Sequence, residues 1–168
     1  MLKRALVSIT LLLLTVLAGA QEYIINQYRV RLDVDKSGGM RVAETIDVTF
    51  NIPRRGIFRF IPVDYETGKG TSRSIWLNDI KTVDEVGNFV TQKITREGRN
   101  VKIRLGDADV TFPGGTRKVY TISYTVRKML NWFDENKDWT PTVQLYWNLT
   151  GDEWDTTINR ASFEAHFP

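Results

Sequence analysis

The chain has no cysteine and a single histidine in 168 residues. Without cysteine there is no disulfide scaffold, no thiolate metal site and no lipidated N-terminal cysteine. The one histidine, His166, stands two residues from the end and reads as an exposed residue closing a strand, so no nucleophile-and-base pair is marked. An excess of one charge is lacking as well: 23 Lys and Arg face 20 Asp and Glu, scattered among one another. A nucleic-acid binder would gather its positive charge into a patch or stripe, so no nucleic acid is expected as a partner. Helical periodicity is scarce. Beyond the first 20 residues, no apolar run approaches the roughly 20 residues of a membrane span.

The chain does carry a leader. Lys3 and Arg4 open it, an uncharged and mostly apolar run extends from Ala5 to Leu17, and Ala18-Gly19-Ala20 comes next. This is the three-part pattern of a secretory signal peptide. Cleavage is expected after Ala20, with residues 1–20 as signal peptide and 21–168 as one exported domain; an uncleaved anchor is the alternative. Loss of Lys3 and Arg4 would leave 21 basic against 20 acidic residues, so the bulk charge of the mature chain names no partner. A domain of this size buries roughly 68–70% of its unfolded surface and can stand on its core alone.

The rest reads as strands. Tyr28, Val30, Leu32 and Val34 alternate with Arg29, Arg31 and Asp33, and after the turn Asp35-Lys36-Ser37-Gly38-Gly39 the run Met40–Phe50 alternates again. The two-residue period marks a half-buried hairpin. Short strands are read at Ile57–Ile61, Ile75–Val83, Phe89–Thr95, Val101–Leu105, Val119–Val126, Val143–Leu149 and Ala161–Phe167, with Tyr65–Ser74 as a polar loop and Lys128–Asp138 able to hold one helical turn. Such spacing predicts an all-β fold, taken here as an immunoglobulin-like antiparallel β-sandwich.

Glu44 breaks the apolar alternation of its strand. It shares a face with Val42, Ile46 and Val48, so the period turns a carboxylate toward the core. Arg59 sits among Ile57, Phe58, Phe60 and Ile61. Buried charges are normally paired, because an unpaired one is very costly. A structural ion pair between Glu44 and Arg59 is therefore expected. Other chemistry finds little support. Asp134-Glu135-Asn136-Lys137-Asp138 has alternate oxygen ligands, but Trp139 and Leu145 stand where a calcium loop of the EF-hand type needs Gly and Glu. Gly68-Lys69-Gly70-Thr71 lacks the earlier glycine of a phosphate loop. Asp152, Glu153 and Asp155, near Trp147 and Trp154, resemble glycosidase ingredients that most exposed loops also contain. No catalytic residue, metal or cofactor is assigned. Four of the five tryptophans lie between Trp132 and Trp154. Trp147 alternates with Leu145 and Leu149 as core. Trp132, Phe133 and Trp139 either fill the core or form an exposed platform, and in the second role they are the candidate partner-binding residues.

Four segments taken in order carry a resemblance: Met40-Arg41-Val42-Ala43-Glu44, then Gly56-Ile57-Phe58-Arg59-Phe60-Ile61-Pro62, then Tyr120-Thr121-Ile122-Ser123-Tyr124, then Leu145-Tyr146-Trp147-Asn148-Leu149-Thr150-Gly151 with Trp154. Together they resemble the N-terminal extracytoplasmic domain of the DUF2207 family of predicted bacterial membrane proteins. The resemblance implies a β-rich domain behind a signal peptide, with transmembrane helices downstream of Pro168. On that footing the chain is a fragment of a longer membrane protein; a short secreted relative is the alternative. The expected function is a non-enzymatic extracytoplasmic domain that binds or organises an envelope component, protein or glycan. The rival is a secreted carbohydrate-binding module built on the Trp-rich loops.

Overall fold

A computed structural model describes residues 21–67, 71–133 and 140–168. The expected signal peptide lies outside the described residues. Among the described residues twelve strands run in order: β1 Tyr23–Val34, β2 Met40–Phe50, β3 Ile57–Pro62, β4 Asp64–Thr67, β5 Thr71–Ser74, β6 Trp76–Val83, β7 Gln92–Glu97, β8 Asn100–Leu105, β9 Arg117–Arg127, β10 Leu130–Phe133, β11 Thr142–Leu145 and β12 Ala161–His166. Among the described residues there is no helix, and none long and apolar enough to cross a membrane.

A five-stranded sheet runs β12-β1-β2-β9-β6 and a three-stranded sheet runs β3-β8-β7. Alternation sets what each contributes to the core. Tyr28, Val30 and Leu32 of β1, Val42, Ile46 and Val48 of β2, and Tyr120, Ile122 and Tyr124 of β9 are buried, and they share one core with Ile57, Ile61, Ile103 and Leu105 of the smaller sheet. A register shift between Ile25 and Gln27 absorbs one extra residue, so Tyr23 and Ile25 stay on the same buried side as Tyr28 and Val30. The first hairpin is closed by Asp35, whose carboxylate accepts hydrogen bonds from the Ser37 and Gly39 amides at 2.8 and 3.0 Å, while Gly38 takes φ +79°.

Three features differ from the sequence expectation. The all-β, antiparallel expectation holds except at one edge, where β12 lies alongside β1 in the same direction, Tyr28 opposite Ala161 through Asp33 opposite His166. Tyr65–Ser74, expected as a loop, contains the ribbon β4–β5, in which Asp64 accepts a hydrogen bond from Ser74 at 2.6 Å. Leu130–Phe133, expected within a helical turn, is a strand paired with β11. Lys128 takes φ +63°, which reverses the chain directly after β9, and four residues facing a ready ladder gain more from pairing than from an isolated helical turn.

Candidate functional site

The polar centre of the molecule is Glu44, with no exposed surface. On β2 it lies opposite Val30 of β1 and Ile122 of β9. Tyr28 pairs with Ile46, and Tyr124 pairs with Val42, so the two tyrosines flank Glu44 from opposite diagonals on the same face. The Tyr28 hydroxyl donates to Oε2 at 2.6 Å and the Tyr124 hydroxyl to Oε1 at 2.6 Å. Arg59 comes from β3, in the opposing sheet. Its Nε donates to Oε2 at 2.7 Å and its Nη2 to Oε1 at 2.9 Å, a two-pronged grip that bridges the two layers. The remaining arm, Nη1, donates to the Phe60 carbonyl at 2.5 Å.

The electrostatics come from this geometry. Burial alone would raise the Glu44 carboxyl; the Arg59 charge and the hydrogen bonds from Arg59, Tyr124 and Tyr28 outweigh it, and the net shift is downward. Tyr28 and Tyr124 are both pushed well above the ordinary phenol range, by burial first and then by the Glu44 charge. At neutral pH the cluster is thus one carboxylate, one guanidinium and two neutral phenols.

The irregular segment after β11 lies against this cluster. Trp154 meets the Tyr28 ring edge-on at 6.0 Å, and Trp147 packs beside Tyr124 at 6.3 Å. Asn148 Oδ1 accepts the Gly151 amide at 2.9 Å, and Trp154 Nε1 donates to the Thr150 carbonyl at 2.7 Å. Gly151 has φ +79°, and a Cβ there would stand 2.4 Å from Arg59 Nη1, so only glycine lets this turn close over the guanidinium.

The structure brings Glu44 and Arg59 together. The other sequence candidates stand apart from them. Trp132 lies opposite Val143 and Phe133 opposite Thr142 in the β10–β11 ribbon; Trp139 lies outside the described residues, as does the acidic run 134–138. His166 is half-exposed and sits 2.9 Å from an Asp33 oxygen. Glu153 and Asp155 line a surface hollow with Glu22, Tyr23, Arg54, Phe58 and Phe60. Sequence reasoning missed the part played by Tyr28 and Tyr124, although both occupy inward positions of strongly alternating strands.

The four segments that carried the sequence resemblance converge here: one supplies Glu44, one Arg59, one Tyr124, and the last Trp147, Gly151 and Trp154. The family model described as the predicted membrane protein (DUF2207) N-terminal domain matches residues 24–168. The chain belongs to the DUF2207 family. No curated protein matches this chain in sequence. Solved structures similar to it include an M1 zinc metallopeptidase from Deinococcus radiodurans, as the E323A mutant, at 13% identity and TM-score 0.42, covering 62% of this chain and 20% of that one. Leukotriene A4 hydrolase from Saccharomyces cerevisiae is similar at 12% identity and TM-score 0.49, covering 88% of this chain and 24% of that one. The chain thus spans about a fifth to a quarter of the length of those enzymes.

Proposed function

We propose that this chain is a non-enzymatic, extracytoplasmic domain of a membrane protein, exported behind residues 1–20, which binds or organises another component of the cell envelope. The observation that carries this reading is the state of Glu44. Its two oxygens are taken by four donors and it has no exposed surface, so Glu44 and its partners lock two sheets together. A general acid or base must come within hydrogen-bond reach of its substrate. Glu44 is held away from solvent by Tyr28, Tyr124 and Arg59. The membrane setting is supported by the family itself, whose members are described as predicted membrane proteins.

A sugar-binding platform asks for exposed rings lying in one plane. Tyr146 is the exposed ring beside the Trp147 segment, and it meets Tyr65 edge-on at 88°, an arrangement that favours the first reading over a carbohydrate-binding module. Co-sedimentation of the purified chain with isolated envelope membranes and with isolated cell wall tests the proposal. Saturable retention in one fraction is expected. Retention in neither, or retention abolished by free monosaccharides, would refute it.

A further inference from the structure

The loop Pro53-Arg54-Arg55-Gly56 enters β3 beside the end of β8, and two glycines make that approach possible. A Cβ at Gly56 would lie 1.8 Å from the Leu105 carbonyl oxygen, and one at Gly106 would lie 2.2 Å from the Arg55 carbonyl oxygen. Both residues take positive φ, +130° and +120°. The backbone of Arg54 is pinned independently, by reciprocal hydrogen bonds with Phe112 of 3.0 and 2.7 Å. The loop is therefore a rigid mount rather than a tether.

That mount places Arg54 and Arg55 around a hollow of about 390 Å³, completed by Pro53, Gly56, Phe58, Arg104 and Thr111. Among the described residues the lining includes three arginines and no carboxylate. Arg54 is paired outside the hollow with Glu22. Among the described residues, Arg55 and Arg104 make no ion pair; Arg55 Nε reaches only the Thr111 hydroxyl, at 3.4 Å. Arg104 Nε is shielded from water and has no hydrogen-bond acceptor among the described residues, which leaves a desolvated charged donor short of a partner. The surface around the hollow continues the theme. Arg104 stands opposite both Phe58 and Lys93 in the three-stranded sheet, and the neighbouring Lys102 lies over the Phe58 and Phe60 rings at 4.7 and 5.0 Å.

We propose that the hollow between Arg55 and Arg104 is an anion site for a phosphoryl group, their planar guanidinium forks meeting phosphate oxygens, with Phe58 as an apolar wall and the Thr111 hydroxyl as a further donor. Guanidinium forks suit this ligand because they bind phosphate oxygens in pairs and are weakly hydrated. The proposal gives the envelope-binding role a ligand class and rests on that reading for its setting. The phosphoryl group belongs either to a lipid headgroup at a membrane surface or to a small soluble phosphate.

Two arms separate these sources, both using the full chain at low ionic strength and neutral pH. In the first, inorganic phosphate is titrated against backbone amide signals, with sodium chloride as the matched control. In the second, the chain is floated with phosphatidylcholine vesicles with and without phosphatidylglycerol. The expected result is saturable shifts at Arg55, Gly56 and Thr111, or flotation that requires phosphatidylglycerol. In either case Arg55→Gln or Arg104→Gln should weaken the response about tenfold, the effect of losing one charged hydrogen bond, while Lys36→Gln in the distant first turn leaves it unchanged. Shifts with phosphate mark a soluble ligand; flotation alone marks a headgroup. Arg55 is exposed, so its variant remains informative if Arg104→Gln fails to fold. Absence of response in both arms, or equal loss in Lys36→Gln, overturns the site. If retention on isolated envelope fractions persists in that case, the anion site alone has failed; if it is lost too, the envelope-binding reading fails with it.

Discussion

Removing either partner of the Glu44–Arg59 pair strands the other, but the two losses are unequal. Glu44→Gln leaves a guanidinium in the core that cannot shed its charge, since arginine stays protonated at any working pH. Its remaining acceptors are the Phe60 carbonyl and the one amide oxygen of the new side chain, neither of them charged. Arg59→Met leaves a carboxylate that still accepts from Tyr28 and Tyr124 and that can take up a proton. Breaking a buried pair costs roughly 3–5 kcal/mol, so we expect about 4 kcal/mol for Glu44→Gln, in the middle of that range, and about 3 kcal/mol for Arg59→Met, at its lower end. The double variant strands no charge and should cost about as much as Glu44→Gln alone, a coupling of about 3 kcal/mol, as high as contacting residues usually show. Urea unfolding followed by far-ultraviolet circular dichroism, with unchanged slopes, measures all four corners of the cycle. The pH dependence supplies a second readout. In the parent, the folded-state Glu44 carboxyl lies below its unfolded value, so its stabilisation is present above about pH 4.3, the unfolded value, and is lost as pH falls through the folded one. In Arg59→Met only the burial effect and the phenols remain. Burial then raises the folded-state carboxyl, and the variant should lose stability as pH rises from the unfolded value through the folded one. Additive costs, or an Arg59→Met variant whose stability has the parent's pH profile, would refute the reasoning.

Tyr28→Phe and Tyr124→Phe each remove one hydrogen bond to a charged acceptor and should each cost about 1.5–3 kcal/mol in the same urea assay; a neutral result would mean that the hydroxyls are not needed by Glu44. Gly151→Ala meets both a left-handed backbone and the Arg59 guanidinium, so a lowered melting temperature is expected, with a stability loss greater than the roughly 1 kcal/mol of backbone strain alone; an unchanged melt would show that the turn does not close on Arg59. Asp47 is held below the usual carboxylate range by the hydrogen bond from Arg117, against burial and with help from Asn26. Its contribution is therefore present above its unfolded value and fades as pH falls, and Asp47→Asn should flatten the acid limb of the stability profile measured by thermal melts from neutral to acidic pH.

The elements legible in the sequence are those where one face is dry and the other wet. Tyr28–Val34, Met40–Phe50 and Val119–Val126 alternate because the larger sheet buries one side, and the same rule located Glu44 as an inward carboxylate. The ribbon β4–β5 was hidden because Tyr65–Ser74 has no apolar alternation to display; its strands are held by backbone pairing and by Asp64 with Ser74. Alternation also carries no direction, so it could place Ala161–Phe167 in a sheet without revealing that it runs parallel to β1. The diagonal reach of Tyr28 and Tyr124 to one carboxylate depends on the register of three strands, and the closeness of Arg55 to Arg104 depends on two glycines 50 residues apart in the sequence. Neither relation is written within any single stretch of chain.

The parallel β1–β12 edge has a mechanical meaning. Tyr23 begins β1 at one end of the large sheet, whereas His166 closes β12 beside Asp33, toward the other end. A pull applied before β1 and after β12 therefore acts along the strands and loads the whole β1–β12 ladder at once, in shear. An antiparallel edge strand would instead bring its end back beside the start of β1, where the same pull would peel its bonds apart one by one. This geometry therefore resists a pull applied between the first strand and the last. Stretching a single molecule from handles at these two ends should give one abrupt, high-force rupture; a gradual low-force extension would show that the edge unzips.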